Sequence, residues 1–238
     1  MLIYIVGYGR SGSTIASLKL QEQINCINLG EAKYIARENK NDLIDVYWRN
    51  FKKENKQFFV EMKAIQRAES FLGFFNIATY KNKYLSFWRL FFNAIGYDHK
   101  NDIVIDTSKT TLDSVFRPFL LKHIFGCNMI LIYPKKPAFQ VIKSLLKGKN
   151  SDIERNKDKS KLKIYLHSFL IGMPHFMVTE ILTKIIYWKK LENINLKSID
   201  RDLQHLIKKY NLALYQSEKE NKIPIVYGNR LRNNYQNN

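Results

Sequence analysis

The chain has 238 residues, and its 39 Lys and Arg against 21 Asp and Glu give a formal net charge of +18. With 45% hydrophobic and 25% charged residues, the composition excludes an acidic disordered chain, a collagen-like repeat and a disulfide-stabilised miniprotein. The length suits one domain, which we expect to span residues 1–238. Cys26 and Cys127 lie in apolar stretches and are predicted to be buried thiols of a reducing compartment.

Short apolar runs separated by helical stretches define the predicted fold. Strands are predicted in chain order at 2–6, 24–29, 102–105 and 128–132, and helices at 13–23, 31–38, within 71–97, over 162–191 and at 200–214. Because the predicted strands are apolar throughout, they are expected to be buried on both faces. The alternation predicts an α/β fold of three layers, with a central parallel sheet flanked by helices.

Two segments between these elements have a distinctive composition. Residues 40–100 are expected to form a mainly helical insertion on the side of the fold where an acceptor molecule would bind. The aromatic stretch 71–97 within it fits either core packing or a wall for a sugar ring or a lipid-linked acceptor. Residues 151–163 are dense in charge and are predicted to be a flexible loop. We expect part of the aromatic stretch and this loop to form one wall of a cleft.

The excess of basic residues favours an anionic partner, although solvated surface lysines explain much of it equally well. The chain has neither a paired Cys/His pattern nor an aromatic-basic RNA motif, so no nucleic-acid partner is predicted. The first residues lack the features of a secretory signal, and the most apolar window, 164–188, is interrupted by charged residues and proline. These features predict a cytoplasmic protein that can contact the inner face of a membrane peripherally.

The most informative segment is the glycine-containing turn GYGRSGST, residues 7–14, after the first strand. Glycines let backbone N–H groups converge there, and the helix N-terminus adds a partial positive charge, so the turn is typical of a phosphate-binding loop. Ser13 stands where a nucleotide triphosphatase has Lys, and Arg10 lies within the loop. The turn therefore predicts a 5′-phosphate site formed by Gly9, Arg10, Ser11, Gly12, Ser13 and Thr14.

GRSGST directly after a first strand resembles the 5′-phosphosulfate loop of the sulfotransferases, most closely that of bacterial and carbohydrate-type members. That family uses 3′-phosphoadenosine 5′-phosphosulfate as sulfuryl donor and releases 3′,5′-bisphosphoadenosine. The resemblance implies a sulfotransferase fold like that of P-loop NTPases, with the phosphate-binding loop after the first strand. It implies no metal, and the chain has no His/Cys/Asp cluster with ligand spacing.

Two further segments follow in the family's order. Leu29-Gly30-Glu31 resembles its glycine-glutamate after strand two, where a carboxylate can accept the acceptor's proton, although a first-turn Glu also stabilises a helix. The segment 106–109, DTSK, resembles the family's segment at the edge of the active site. There a Lys or a hydroxyl contacts the bridging oxygen or a sulfonate oxygen, which gains negative charge as the S–O bond breaks. Capping of a helix by Asp106 or Thr107 explains the same residues equally well. The catalytic residues implied by the resemblance are Arg10, Glu31, Asp106, Ser108 and Lys109, and His175 is an alternative base.

The 3′-phosphate site is the part where the chain departs from the family. The family has an Arg at the end of strand four and a Ser about two helical turns later, but this chain has Lys135, Lys136 and Ser144. Lysine supplies charge without the bidentate fork of arginine. The late segment 228–232, GNRLR, resembles a segment of bacterial sulfotransferases that contacts the 3′-phosphate. The alternative is that it is only the basic tail of a basic protein. Its implied binding residues are Asn229, Arg230 and Arg232.

The predicted function is transfer of a sulfuryl group from 3′-phosphoadenosine 5′-phosphosulfate to a hydroxyl or amine. The expected acceptor is a glycan, a glycolipid or another small hydroxyl compound. A nucleotide or small-molecule kinase with a degenerate loop is one alternative, and the missing loop Lys argues against it. A non-enzymatic basic protein that binds glycans is the other.

Overall fold

A computed structural model of the chain describes residues 1–8, 11–32, 54, 56, 66–70, 77–94, 96–98, 100–126, 128–137, 139–141, 143–144 and 173–212. The strands are β1 (Leu2–Ile5), β2 (Ile27–Asn28), β3 (Val104–Asp106), β4 (Met129–Lys135) and β5 (Leu191–Asn195). The helices are α1 (Ser13–Gln21), α2 (Ile77–Ala94), α3 (Arg117–Phe125), α4 (Met173–Tyr187) and α5 (Ile199–Lys209). A short 3-10 helix spans Gln66–Glu69.

The five strands form one sheet in the order β2-β3-β1-β4-β5. Every pairing is parallel, and β1 lies at the centre, with Leu2 in register with Val104 of β3 and with Met129 of β4. Helices cover both faces of this sheet, as parallel strands require. The predicted α/β class, with a parallel central sheet between helical layers, is confirmed.

The two faces of β1 belong to two separate hydrophobic clusters. Leu2 and Tyr4 face the cluster that contains the rings of α2 and the leucines of α3. Ile3 and Ile5 face the cluster that contains residues of α1 and α5. Since successive side chains of a strand point to opposite sides, an apolar run such as that of β1 is what a strand between two helical layers needs.

The strand β5 was not predicted, because the sequence pattern indicated helix up to residue 191 and no strand after it. In β5 only Ile194 is buried, and its neighbours in the strand are polar or partly exposed. An edge strand with one buried side chain produces no apolar run, so the pattern that revealed the central strands is missing here. A further short apolar run of the sequence, residues 223–227, lies outside the described residues.

The described aromatic residues of this stretch pack into the core, with Tyr80 partly buried at its edge, so the predicted cleft wall is wrong for these residues. Tyr84 and Trp88 are fully buried, and Tyr97 is 7% exposed. The rings pack against one another edge to face, with the centroids of Trp88 and Phe91 5.1 Å apart. Residues 71–76, and the charged segment 151–163 expected to join this wall, lie outside the described residues.

Cys26 is a free thiol whose side chain packs against the cluster on the α1 side of the sheet. Burial raises the pKa of this thiol to about 12. Cys26 was predicted to be a buried thiol and is partly buried, and its raised pKa keeps it protonated, whereas Cys127 lies outside the described residues. Among the helices described, none is both long enough and apolar enough to cross a membrane.

Candidate functional site

The strand order places a crevice at the carboxyl end of β1. The chain leaves β1 towards β2 and β3 on one side and later returns to β4 and β5 on the other. Ligands of open parallel sheets bind outside the carboxyl ends of the strands at such a reversal. The turn after β1, Glu31 after β2 and the segment 106–109 at the end of β3 all follow strands at this edge.

The turn after β1 depends on two glycines with positive φ. Gly7 has φ +128°, and a Cβ there would lie 2.9 Å from Ser11 Oγ. Gly12 is the N-cap of α1 with φ +103°, and a Cβ there would lie 2.5 Å from Leu196 Cδ1. Only glycine fits these positions, which allows the chain to turn tightly into α1.

The hydroxyl of Ser11 is the clearest sign that this turn receives a ligand. Ser11 is 5% exposed, and its Oγ has no hydrogen-bond partner among the described residues. A buried hydroxyl without a partner costs free energy, which a bound anion would recover by accepting its hydrogen bond. The first turn of α1 has no acidic side chain, and its N–H groups lack acceptors within the helix. The turn therefore fits a phosphate group.

A tether of hydrogen bonds holds this turn against the segment after β3. Thr110 Oγ1 accepts the N–H of Gly7 at 2.9 Å, and the N–H of Thr110 donates to the carbonyl of Gly7 at 3.1 Å. Thr110 Oγ1 also lies 3.1 Å from Thr183 Oγ1 of α4. Because Thr110 directly follows Lys109, this tether fixes Lys109 next to the turn.

Glu31 and Lys109 form an ion pair at this edge. Lys109 Nζ lies 2.8 Å from Glu31 Oε1, and the two side chains are 26% and 19% exposed, with Lys109 the more exposed. The backbone beneath them is also joined, since the N–H of Thr107 donates to the carbonyl of Gly30 at 2.8 Å. Two side chains predicted from separate motifs thus meet, and both are accessible to a ligand.

Asp106 and Ser108 were expected to contact the substrate, but the structure buries both of them. Both are fully buried, and Asp106 Oδ1 accepts the N–H of Ser108 at 2.7 Å. The other carboxylate oxygen, Oδ2, lies 2.8 Å from Nη2 of Arg117. An acid engaged in this way has no access to a substrate, so Asp106 shapes the segment that carries Lys109.

Arg117 and Glu69 complete this buried network, and sequence reasoning missed both. Arg117 is fully buried, and its Nη1 lies 2.6 Å from Glu69 Oε1, which also accepts the hydroxyl of Tyr84 at 2.7 Å. Its guanidinium carbon lies 4.0 Å from the centroid of the Trp88 ring. Neither residue belongs to a recognisable motif, so no sequence signal distinguished them from surface charges.

A cavity of about 580 Å³ lies over β4 and β5. Its described wall includes Lys135 and Lys136, and also Lys184 and Lys197, against one acidic residue, Glu180. Leu196, whose side chain abuts Gly12, lines it as well, so the cavity borders the N-terminus of α1. Such a surface favours an anionic ligand.

The remaining predicted residues are not all placed. Ser144 is helical and partly buried, and it is not among the residues that line this cavity. His175 of α4 lies beside the turn, with its Nδ1 3.3 Å from the hydroxyl of Tyr8. Gly9, Arg10, Asn229, Arg230 and Arg232 lie outside the described residues. Within the described ranges, no group of three His, Cys, Asp or Glu is arranged to hold a metal ion.

Replacing Gly12 with Ala is expected to destabilise the protein and to weaken anion binding at the turn. The cost has two sources, a left-handed backbone and the contact with Leu196, and we expect about 2–4 kcal/mol of unfolding free energy. Gly96→Ala is the matched control, because Gly96 has φ +66° and, among the described residues other than its chain neighbours, no atom lies within 4 Å of the position that a Cβ would occupy. Urea unfolding of both variants measures the difference, and equal losses would mean that Leu196 does not crowd Gly12.

Comparison with known proteins gives matches only among solved structures. A scan against protein-family models and a search of curated proteins find no match. The chain is similar to shikimate kinase from Acinetobacter baumannii in complex with shikimate, at 14% identity over 88% of this chain and 93% of that one, with a TM-score of 0.43. It is also similar to the sulfotransferase domain from the curacin biosynthetic pathway, at 14% identity over 93% of this chain and 78% of that one, with a TM-score of 0.47.

Proposed function

We propose that the protein is a sulfotransferase that uses 3′-phosphoadenosine 5′-phosphosulfate. The observation that carries the proposal is the tether between Gly7 and Thr110. It joins a phosphate-binding type of turn, in which the Ser11 hydroxyl lacks a partner among the described residues, to the accessible pair of Glu31 and Lys109. An anion site beside a carboxylate and an ammonium group is what sulfuryl transfer to a hydroxyl needs.

The turn is proposed to hold the 5′-phosphate of the donor. Ser11 donates its hydroxyl, the first-turn N–H groups of α1 point at the same oxygens, and Arg10 adds a positive charge. When bound, the donor supplies the sulfuryl group that is transferred. Gly9, Gly12, Ser13 and Thr14 complete the proposed binding set, and no metal is assigned to it.

Glu31 and Lys109 are proposed to act on the two oxygens at either end of the transferred group. Glu31 accepts the proton of the acceptor hydroxyl, which makes that oxygen a better nucleophile. Lys109 stabilises the negative charge that grows on the leaving or sulfonate oxygen. Their mutual ion pair has to open when substrates bind, so that each side chain contacts its own oxygen. Asp106 and Ser108 position Lys109 from inside the protein.

The lysine-lined cavity is the proposed location of the donor's 3′-phosphate. Lys135 and Lys136 contribute to its wall, and Leu196 connects it to the end of α1 that receives the 5′-phosphate. Asn229, Arg230 and Arg232 remain proposed partners of the same phosphate, whereas Ser144 does not line the cavity and is not assigned to it. Because lysines replace the expected arginine at the end of β4, the contact depends on charge more than on bidentate geometry.

The proposed acceptor is a hydroxyl of a glycan or glycolipid. The net charge of +18 favours acceptors that carry phosphate or other acidic groups. The aromatic side chains expected to stack against a sugar ring are core in the described part of α2, so sugar recognition is assigned to none of them.

Thermal unfolding with added nucleotides tests this proposal. Bisphosphoadenosine without metal is expected to raise the unfolding temperature, because a ligand that binds only the folded state stabilises it. Mg-ATP at the same concentration is expected to change it little, since the loop lacks the lysine that holds the β- and γ-phosphates. Stabilisation by Mg-ATP alone would favour the kinase alternative and overturn the proposal.

A further inference from the structure

Helix α4 exposes a row of large apolar side chains. Met177, Val178, Ile181, Ile185 and, just after the helix, Trp188 are between 45% and 68% exposed. At about 3.6 residues per turn these five positions fall within an arc of about 100°. They form one continuous apolar strip along the outer side of the helix, which we call the α4 strip.

The opposite side of α4 is firmly anchored in the protein. Phe176, Thr179, Thr183 and Tyr187 are 5% exposed or less. The hydroxyl of Tyr187 donates to the carbonyl of Val115 at 2.6 Å. A surface helix normally has a polar outer face, so an apolar strip on the side of α4 that faces away from the core indicates that this side also has an apolar partner.

Positive charges lie at the C-terminal end of the α4 strip. Lys189 and Lys190 follow Trp188 and are exposed, and Lys189 Nζ lies 5.3 Å from the centroid of the Trp188 ring. Lys122 of α3 is also exposed, and its positive charge close to Lys190 lowers the pKa of Lys190. Three lysines held this close together favour an extended anionic surface over a neutral one.

We propose that the α4 strip and these three lysines dock the protein on an anionic lipid bilayer. An apolar strip with a tryptophan and lysines at its edge is the arrangement by which a helix lies in a membrane interface. A second copy of the chain is a poorer partner, because each copy carries a charge of +18 and a two-fold contact would bring the lysines of both copies together. The proposal goes beyond sulfuryl transfer and does not depend on it.

Co-sedimentation with lipid vesicles tests the docking surface without any substrate. The full chain is expected to bind vesicles of phosphatidylcholine with roughly one third phosphatidylglycerol, and to bind pure phosphatidylcholine vesicles far more weakly. Ile181→Ser and Ile185→Ser are each expected to weaken binding about tenfold. Replacing Lys189 and Lys190 with Gln is expected to weaken it about fivefold per lysine.

Control variants place comparable changes elsewhere. Ile15→Ser changes an exposed apolar residue of α1, and Lys208→Gln changes an exposed lysine of α5. Both are expected to bind vesicles like the unmodified chain, and circular dichroism confirms that every variant is folded. Equal binding by strip and control variants would overturn the proposal. So would a dimer in sedimentation velocity that Ile185→Ser converts to a monomer, since a second copy would then cover the strip.

Discussion

Replacing Glu31 with Gln is expected to lower turnover by about 10² to 10⁴ and to leave the affinity for bisphosphoadenosine nearly unchanged. The amide keeps the shape of the side chain but cannot accept the acceptor's proton. Glu31 belongs to an ion pair of 2.8 Å with Lys109 and does not belong to the turn that receives the nucleotide. Release of bisphosphoadenosine with a competent acceptor measures turnover, and calorimetry measures nucleotide affinity.

Glu22→Gln is the matched control for this variant. Glu22 forms an ion pair with Lys19, also at 2.8 Å, but the pair lies on the exposed surface at the end of α1. Its loss is expected to leave turnover unchanged. Full turnover by Glu31→Gln would mean that another group is the base. His175, whose ring contacts the hydroxyl of Tyr8, would then be the candidate for the base, because the buried carboxylate of Asp106 cannot reach an acceptor.

Replacing Arg117 with Met is expected to lower the free energy of unfolding by about 3–5 kcal/mol. Arg117 is fully buried between the carboxylates of Glu69 and Asp106, at 2.6 and 2.8 Å. Without its positive charge, two buried negative charges lose their compensation, and burying a charge without a partner is costly. Urea unfolding at neutral pH measures the loss.

Three further variants test whether the loss of stability in Arg117→Met comes from the missing charge in the buried network. Arg117→Lys keeps a positive charge but cannot bridge both carboxylates, so its loss is expected to be intermediate. Glu69→Gln removes one charge and keeps a folded protein available if Arg117→Met does not fold. Arg89→Met changes an exposed arginine of α2 and is expected to be close to neutral. A loss below about 1 kcal/mol for Arg117→Met would contradict the role assigned to the buried network.

The sequence predicted the centre of the fold well because the central strands are buried on both faces. The apolar run from Leu2 to Val6 followed by glycines identified β1 and its turn, and the runs at β3 and β4 identified their neighbours. The edge strand β5 was missed, since one buried side chain, Ile194, leaves no pattern. Local periodicity therefore predicts the strands that carry the candidate site, including the edge strand β2, but not the opposite edge strand β5.

The candidate site was predicted in part. The motifs at Gly30-Glu31 and at Ser108-Lys109 lie after neighbouring strands, and the structure brings Glu31 and Lys109 into contact. The support beneath them was not predicted, because Arg117 meets Glu69 and Asp106 only through tertiary packing. For the aromatic stretch, the sequence offered two interpretations and could not distinguish between them. Its helical spacing fitted both a core face and a ligand wall, and only burial distinguishes the two.

Calorimetric titration of the metal-free protein with bisphosphoadenosine measures whether the turn after β1 binds the donor nucleotide. We expect saturable binding of one nucleotide per chain, weakened by roughly 1.5–3 kcal/mol in Arg10→Ala, the usual size of a charge-assisted contact. Absence of binding to the unmodified chain would contradict the assignment of the turn after β1 to the donor. Unchanged affinity in Arg10→Ala would remove Arg10 from the site.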